Sequence, residues 1–149
     1  MLYIIMNDTV MEKVMDALDN DEHANLLHET TDTIEEKKHT ILLNLQLPPK
    51  THLKYLNTLK SYQFVDELPD MKYGSYIRWI NITNVENFKL TNGGIVCEIK
   101  IGEHGILIVC KNNMNRFFQL NMNENLIFRK MTNQELVLLS ALDYISKKT

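Results

Sequence analysis

The sequence predicts an α+β chain, with a helical N-terminal arm followed by a small antiparallel β-barrel-like domain of five or six strands and a C-terminal helix. Three observations predict it. Apolar residues in the first half recur at helical spacing, those beyond Pro69 alternate with period two, and the residues after Thr132 return to the helical period behind a capping signature. The period changes at Leu68-Pro69-Asp70, which divides the chain into an arm, 1–68, and a β-domain, 69–149.

In the arm, Asn7 or Asp8 can cap a helix carrying Met11, Val14, Met15 and Leu18, and Asp19-Asn20-Asp21 reads as a break. A second helical run places Leu27, Ile34 and Ile41 at seven-residue spacing, with Leu45 four beyond Ile41. Thr30, Thr31 and Lys38 fall where a tight seam would carry leucine, which favours a helix lying on the domain over a coiled coil. Pro48-Pro49 ends that run, because proline lacks the N–H donor and restricts the residue before it. Leu53, Leu56 and Leu59 mark a short third helix reaching to about Tyr62.

In the β-domain, "YGSYIRWINI" turns Tyr76, Arg78, Ile80 and Ile82 to one side and Ile77 and Trp79 to the other. "NFKLT" reads as a short strand before the turn at Asn92-Gly93-Gly94. Ile95–Ile101 and Ile106–Lys111 form a hairpin about Glu103-His104, and "RFFQL" and "LIFRKM" supply two more strands. Symmetry about that turn pairs Ile101 with Ile106, Ile99 with Ile108 and Cys97 with Cys110, all on one face. Thr132 and Glu135 form a capping box that opens the last helix, with Leu136, Leu139, Leu142 and Tyr144 on its buried side.

Composition bounds the function. With 44% apolar and 23% charged residues the chain is an ordinary globular protein, and no apolar run approaches the roughly 20 residues of a membrane span. Leu2–Met6 is too short for a signal-peptide core, so no membrane association is expected, an intracellular location is, and the sequons at Asn7 and Asn81 carry no weight. Two cysteines without an export signal are expected to stay reduced, as small core residues. Residues 1–70 carry 6 Lys and 13 Asp or Glu, whereas residues 71–149 carry 10 Lys or Arg and 6 Asp or Glu. The halves therefore suit different partners, or attract one another.

The chemical motifs are few. His23 and His28 lie five apart, about 140° round a helix, where metal ligands want three or four. A calcium loop from Asp19 would lack its glycine at Ala24 and its glutamate at Thr30. Glu103-His104 sits at a hairpin tip, and Gly93-Gly94 lacks the Lys-Ser/Thr of a phosphate loop. No cofactor, metal or catalytic residue is expected, and the chain reads as a non-enzymatic protein, with an enzyme of unknown type, for which no site stands out, as the third reading.

"KYGSYIRWI" (Lys72 to Trp79 at its centre), "GGIVCEIKIGEHGILIV" and "IFRKMTNQELVLLSALDYI" resemble small uncharacterised proteins of nucleocytoplasmic large DNA viruses, over about residues 60–149. Sixteen asparagines, and 13 lysines against 3 arginines, agree with an AT-rich genome. The resemblance implies viral origin, and with it an infected-cell or virion location, but no activity.

The leading expectation is a structural or protein-interaction role, with Leu27, Ile34 and Ile41 docking a partner or a second copy through the acidic arm. The alternative is a nucleic-acid-binding barrel using Arg78, Lys89, Arg116, Arg129 and Lys130, with stacking rings drawn from Tyr73, Tyr76, Trp79, Phe117 and Phe118. Two limits bear on that alternative: Trp79 alternates with Tyr76 and Arg78, and Phe117 and Phe118 are not expected to face solvent together. Burial separates the two: an exposed stripe favours docking, an exposed Trp79 favours nucleic acid.

Overall fold

The structure, a computed structural model, describes residues 29–148. The expected helix from Asn7 or Asp8, its break at 19–21, Leu27, His23 and His28 lie outside these residues. The described chain is α+β. Helices α1 (Thr31–Leu43) and α2 (Pro49–Thr58) precede six strands: β1 (Tyr62–Phe64), β2 (Tyr76–Asn81), β3 (Gly94–Gly102), β4 (Gly105–Lys111), β5 (Phe117–Asn121) and β6 (Asn125–Lys130). Helix α3 (Asn133–Lys148) follows. Among the described residues two compact units are present, one comprising 29–37 with 131–148, the other Lys38–Lys130.

In the first unit, Thr132 and Glu135 close the expected capping box. The Thr132 amide donates to Glu135 Oε1 at 3.0 Å and the Glu135 amide donates to Thr132 Oγ1 at 3.1 Å, so two otherwise orphaned donors are satisfied. Ile34 packs with Met131, Leu138 and Leu139 in a buried cluster flanked by Leu136 and Leu142. Tyr144, expected on the buried side, is instead exposed, and Leu138 and Ala141 occupy it. Thr31 donates to Asp143 through both its amide (2.9 Å) and its hydroxyl (2.5 Å), joining the first turn of α1 to α3.

The second unit holds an antiparallel sheet of order β1-β6-β2-β3-β4-β5. β2 to β5 form a meander, and β6 returns to insert between β1 and β2. Among the described residues β1 and β5 are its two ends and do not pair, so the sheet is not closed. Tyr62, expected at the end of a helix, instead opens the strand Tyr62–Phe64, which pairs with Phe128–Lys130 because α2 stops at Thr58. Leu68–Asp70 is a 3-10 turn inside this unit. "NFKLT" contributes only a single bridge, from Leu90 to Ile80.

Both faces of β6 and of the end of β2 are covered. Ile77, Trp79, Val96, Ile108, Cys110, Leu120 and Ile127 share one core with Val65 and Met71. Tyr62, Ile80 and Phe128 face the other way, against Leu42 of α1, Leu59 and Leu90, with Tyr55 and Leu56 of α2 alongside. Lys38 enters this second core with its side chain fully buried. Its Nζ donates to the carbonyls of Leu59 (2.7 Å) and Lys60 (3.4 Å), just past the C-terminal end of α2, where a helix favours positive charge.

The hairpin keeps the expected pairs Ile99–Ile108 and Ile101–Ile106, but not Cys97–Cys110. The register shifts between Val96 and Glu98, so Val96 pairs with Cys110 and Cys97 stands in a bulge. Cys97 is exposed, Cys110 is buried, and both are free thiols. Burial pushes the Cys110 thiol up from 9.0 to about 11, and the neighbouring Cys97 adds to this.

Candidate functional site

The second core covers only half of its face of the sheet. On β1, β6 and the end of β2 that face is buried, but on β3, β4 and β5 it stays open. Register places four residues side by side across this open part: Tyr76 opposite Ile95, Ile95 opposite Lys111, and Lys111 opposite Phe117. Directly opposed residues point to the same side of a sheet, so one row crosses four strands. Tyr76 is 36% exposed, Ile95 48% and Phe117 66%, while Lys111 is half-buried between them. Three strand spacings separate Tyr76 from Phe117, roughly 14 Å.

On the same face Arg78 flanks this row on one side, and on its other side follow Glu98 with Val109 and Gln119, then Lys100 with Leu107 and Asn121. Glu98 is the only carboxylate within β2–β5. Over residues 38–130 twelve Lys or Arg stand against seven Asp or Glu, so the unit bearing this face is basic.

The segment between β2 and β3 folds back along β2 and fixes one end of the row. Arg78 Nε donates to the Thr91 carbonyl at 2.8 Å, the Trp79 amide donates to Thr91 Oγ1 at 3.2 Å, and the Thr91 amide donates to the Trp79 carbonyl at 3.0 Å. Tyr76 donates its hydroxyl hydrogen to the Asn92 carbonyl. Tyr55 anchors the same segment: its hydroxyl donates to the Phe88 carbonyl at 2.8 Å and accepts from the Leu90 amide at 3.2 Å. Burial raises the Tyr62 phenol above its ordinary range, an effect the Arg78 guanidinium partly offsets.

The structure does not gather the five expected basic residues onto one surface. Arg78 and Lys130 project from the helix-covered side of the sheet, Lys89 is exposed on the returning segment, and Arg116 is exposed just before β5. Arg129 is 1% exposed. Period two places it with Ile127 on the other face, and β6 is a central strand, so it is withdrawn from any surface. Trp79 is also buried, at 7%. Phe117 and Phe118, expected not to face solvent together, are both exposed, because β5 ends the sheet and neither core extends fully over it. Phe118 tilts against Trp79 with ring centroids 6.2 Å apart.

Of the docking stripe, Ile34 is 4% exposed inside the first unit's own cluster, and Ile41 is half-buried beside the second core. Among the described residues no group of three or more His, Cys, Asp or Glu is placed to hold a metal ion, and no helix is long and apolar enough to cross a membrane. Ile95 and Lys111 were missed as site residues. The available signal was the register itself, since Lys111 ends an otherwise apolar strand with its side chain opposite the exposed face of β5. No known family model, curated protein or solved structure matches the chain.

Proposed function

We propose that the protein is a non-enzymatic binding protein that holds single-stranded nucleic acid on the open face of its sheet. One observation carries this reading: the exposed row Tyr76–Ile95–Lys111–Phe117, with rings at both ends and a cation between them, on a net-basic unit. Rings on a sheet face offer stacking surfaces to unpaired bases, at about 1–3 kcal/mol per base, while lysines and arginines meet the phosphates. Lys100, Lys111 and Arg116 serve the backbone. Arg78 positions the Tyr76 end through its bond to Thr91.

Burial removes the expected signal of both readings, since Trp79 is buried as well as Ile34, but the protein-docking reading keeps less beside it. Ile34 is consumed by its own core, which leaves the acidic character of the arm as its support. A second observation gives it a different location: the outer edge of β5 is unpaired among the described residues, and Phe117 and Phe118 on it are exposed. Such an edge accepts an added strand from a protein partner. A viral origin is part of this proposal, carried by the sequence resemblance and the Asn- and Lys-rich composition.

Fluorescence anisotropy with labelled single- and double-stranded DNA and RNA at low salt tests the first reading. Single strands are expected to bind more tightly than duplexes, and Phe117→Ala and Tyr76→Ala each to weaken binding by about five-fold or more. Absence of binding at tens of micromolar, or binding indifferent to both substitutions, refutes it.

A further inference from the structure

We infer a second site, independent of the sheet face: a divalent-metal clamp formed by His39 of α1 and His52 of α2. His39 Nδ1 and His52 Nε2 lie 3.2 Å apart, with the rings nearly perpendicular (81°) and their centroids 5.0 Å apart. Without a metal this is a hydrogen bond in which one ring donates and the other accepts, so the pair shares a single bridging proton. The same spacing suits a metal. Two imidazoles at the ordinary zinc–nitrogen length of about 2.0–2.1 Å, subtending a tetrahedral angle, have their nitrogens about 3.4 Å apart. A right-angled pair in a square or octahedral site would need about 2.9 Å, so the observed gap lies nearer the tetrahedral value.

The scaffold holds this spacing without the metal. The connection from α1 to α2 is a tight turn, with the Leu45 amide bonded to the Leu42 carbonyl and the Gln46 amide to the Leu43 carbonyl, and Gln46 in the left-handed region at φ 54°. Leu42, three residues beyond His39, is fully buried, and Tyr55, three beyond His52, packs into the same core. One helical turn from each histidine is therefore fixed in the core, while the rings face outward, His39 exposed and His52 half-exposed. The ring that donates shifts to the tautomer carrying its hydrogen on the other nitrogen, and slight rotation of both rings then turns two lone pairs onto a common point with no net loss of a proton.

Among the described residues no third protein ligand joins the pair, so the bound ion keeps water in its remaining positions. Zn2+ is the ion that fits best, being content with four-coordinate geometry and imidazole nitrogen. Its effect is to tie α2 to α1 and to raise the melting temperature of the unit that carries the sheet.

Isothermal titration of ZnCl2 into the full-length chain, with Co2+ absorption as a geometric probe, tests this. One zinc per chain is expected, with the strong visible bands of four-coordinate cobalt and a rise in melting temperature on adding zinc. His39→Ala and His52→Ala are each expected to weaken binding at least tenfold and to abolish the thermal shift. Both side chains reach the surface, so far-UV circular dichroism should be unchanged, and His52→Gln gives a second variant of similar bulk. No zinc binding at millimolar metal, binding that survives both substitutions, or only the weak bands of six-coordinate cobalt would each overturn the inference.

Discussion

Replacing Gly93 with alanine is expected to be far more damaging than replacing Gly74, although both glycines sit at positive φ, +91° and +77°. A left-handed conformation costs an L-residue roughly 1–2 kcal/mol, and alanine recovers about 0.4–1 kcal/mol by restricting the unfolded chain. Around Gly74 nothing lies within 4 Å of where a Cβ would stand, so that small balance is the whole effect, about 1 kcal/mol or less. A Cβ on Gly93 would overlap the carbonyl oxygen of Ile77 and come within 2.9 Å of Arg78 Cγ and Tyr76 Cε1. The Ile77 carbonyl belongs to a central strand and cannot swing aside as a side-chain end would. An overpacking cost of about 1–3 kcal/mol is therefore added, for a total of roughly 2–4 kcal/mol. At this chain length that lowers the melting temperature by on the order of 10 °C, against about 3 °C or less for Gly74→Ala. Urea unfolding of the two variants beside the parent chain measures the difference. Two variants agreeing within about 0.5 kcal/mol would refute the close approach of the returning segment to β2, and with it the anchoring of Tyr76.

Other outcomes follow from the same geometry. Phe128→Ala removes a fully buried ring from the second core and should cost about 3–5 kcal/mol in denaturant unfolding. Thr132→Ala opens the capping box and should cost about 1 kcal/mol, with α3 fraying first in hydrogen exchange. The Cys110 thiol, raised from 9.0 to about 11, gives stability that is fully present below pH 9 and is lost as pH climbs toward 11. There the unfolded chain releases a proton that the folded chain still holds. The loss should reach roughly 1–3 kcal/mol and be reduced in Cys110→Ala, although the raised Tyr62 phenol adds its own decline at the top of that range. If the sheet face carries nucleic acid, Lys111→Ala should flatten the slope of log affinity against log salt by about 0.7 for a single strand.

What could be read from the sequence was governed by how local the deciding interactions are. Thr132 and Glu135 satisfy each other three residues apart, and the Ile99–Ile108 pairing follows from alternation around one turn, so both were legible. The bulge was not, because Ile95, Val96 and Cys97 are all apolar and either parity gives a plausible inward face. Arg129 was misplaced for a non-local reason. Only the insertion of β6 between β1 and β2 makes it central, and 43 residues separate β2 from β6 along the chain. The open row was hidden in the same way, since its four members come from four strands and meet only through register. Ile34 was legible as apolar and helical, but the helix that covers it begins about a hundred residues later.

The bulge at Cys97 gives the protein a built-in reporter. The chain has two cysteines, and the register shift leaves one thiol in solvent on β3 and the other sealed beneath the hairpin with its proton held to about pH 11. A maleimide fluorophore or spin label at neutral pH should therefore attach once, at Cys97, with no engineered substitution. Two residues away, Ile95 lies in the middle of the exposed row. A probe at that distance should change its emission or mobility when a ligand settles on the face, so the wild-type chain can serve as its own binding assay.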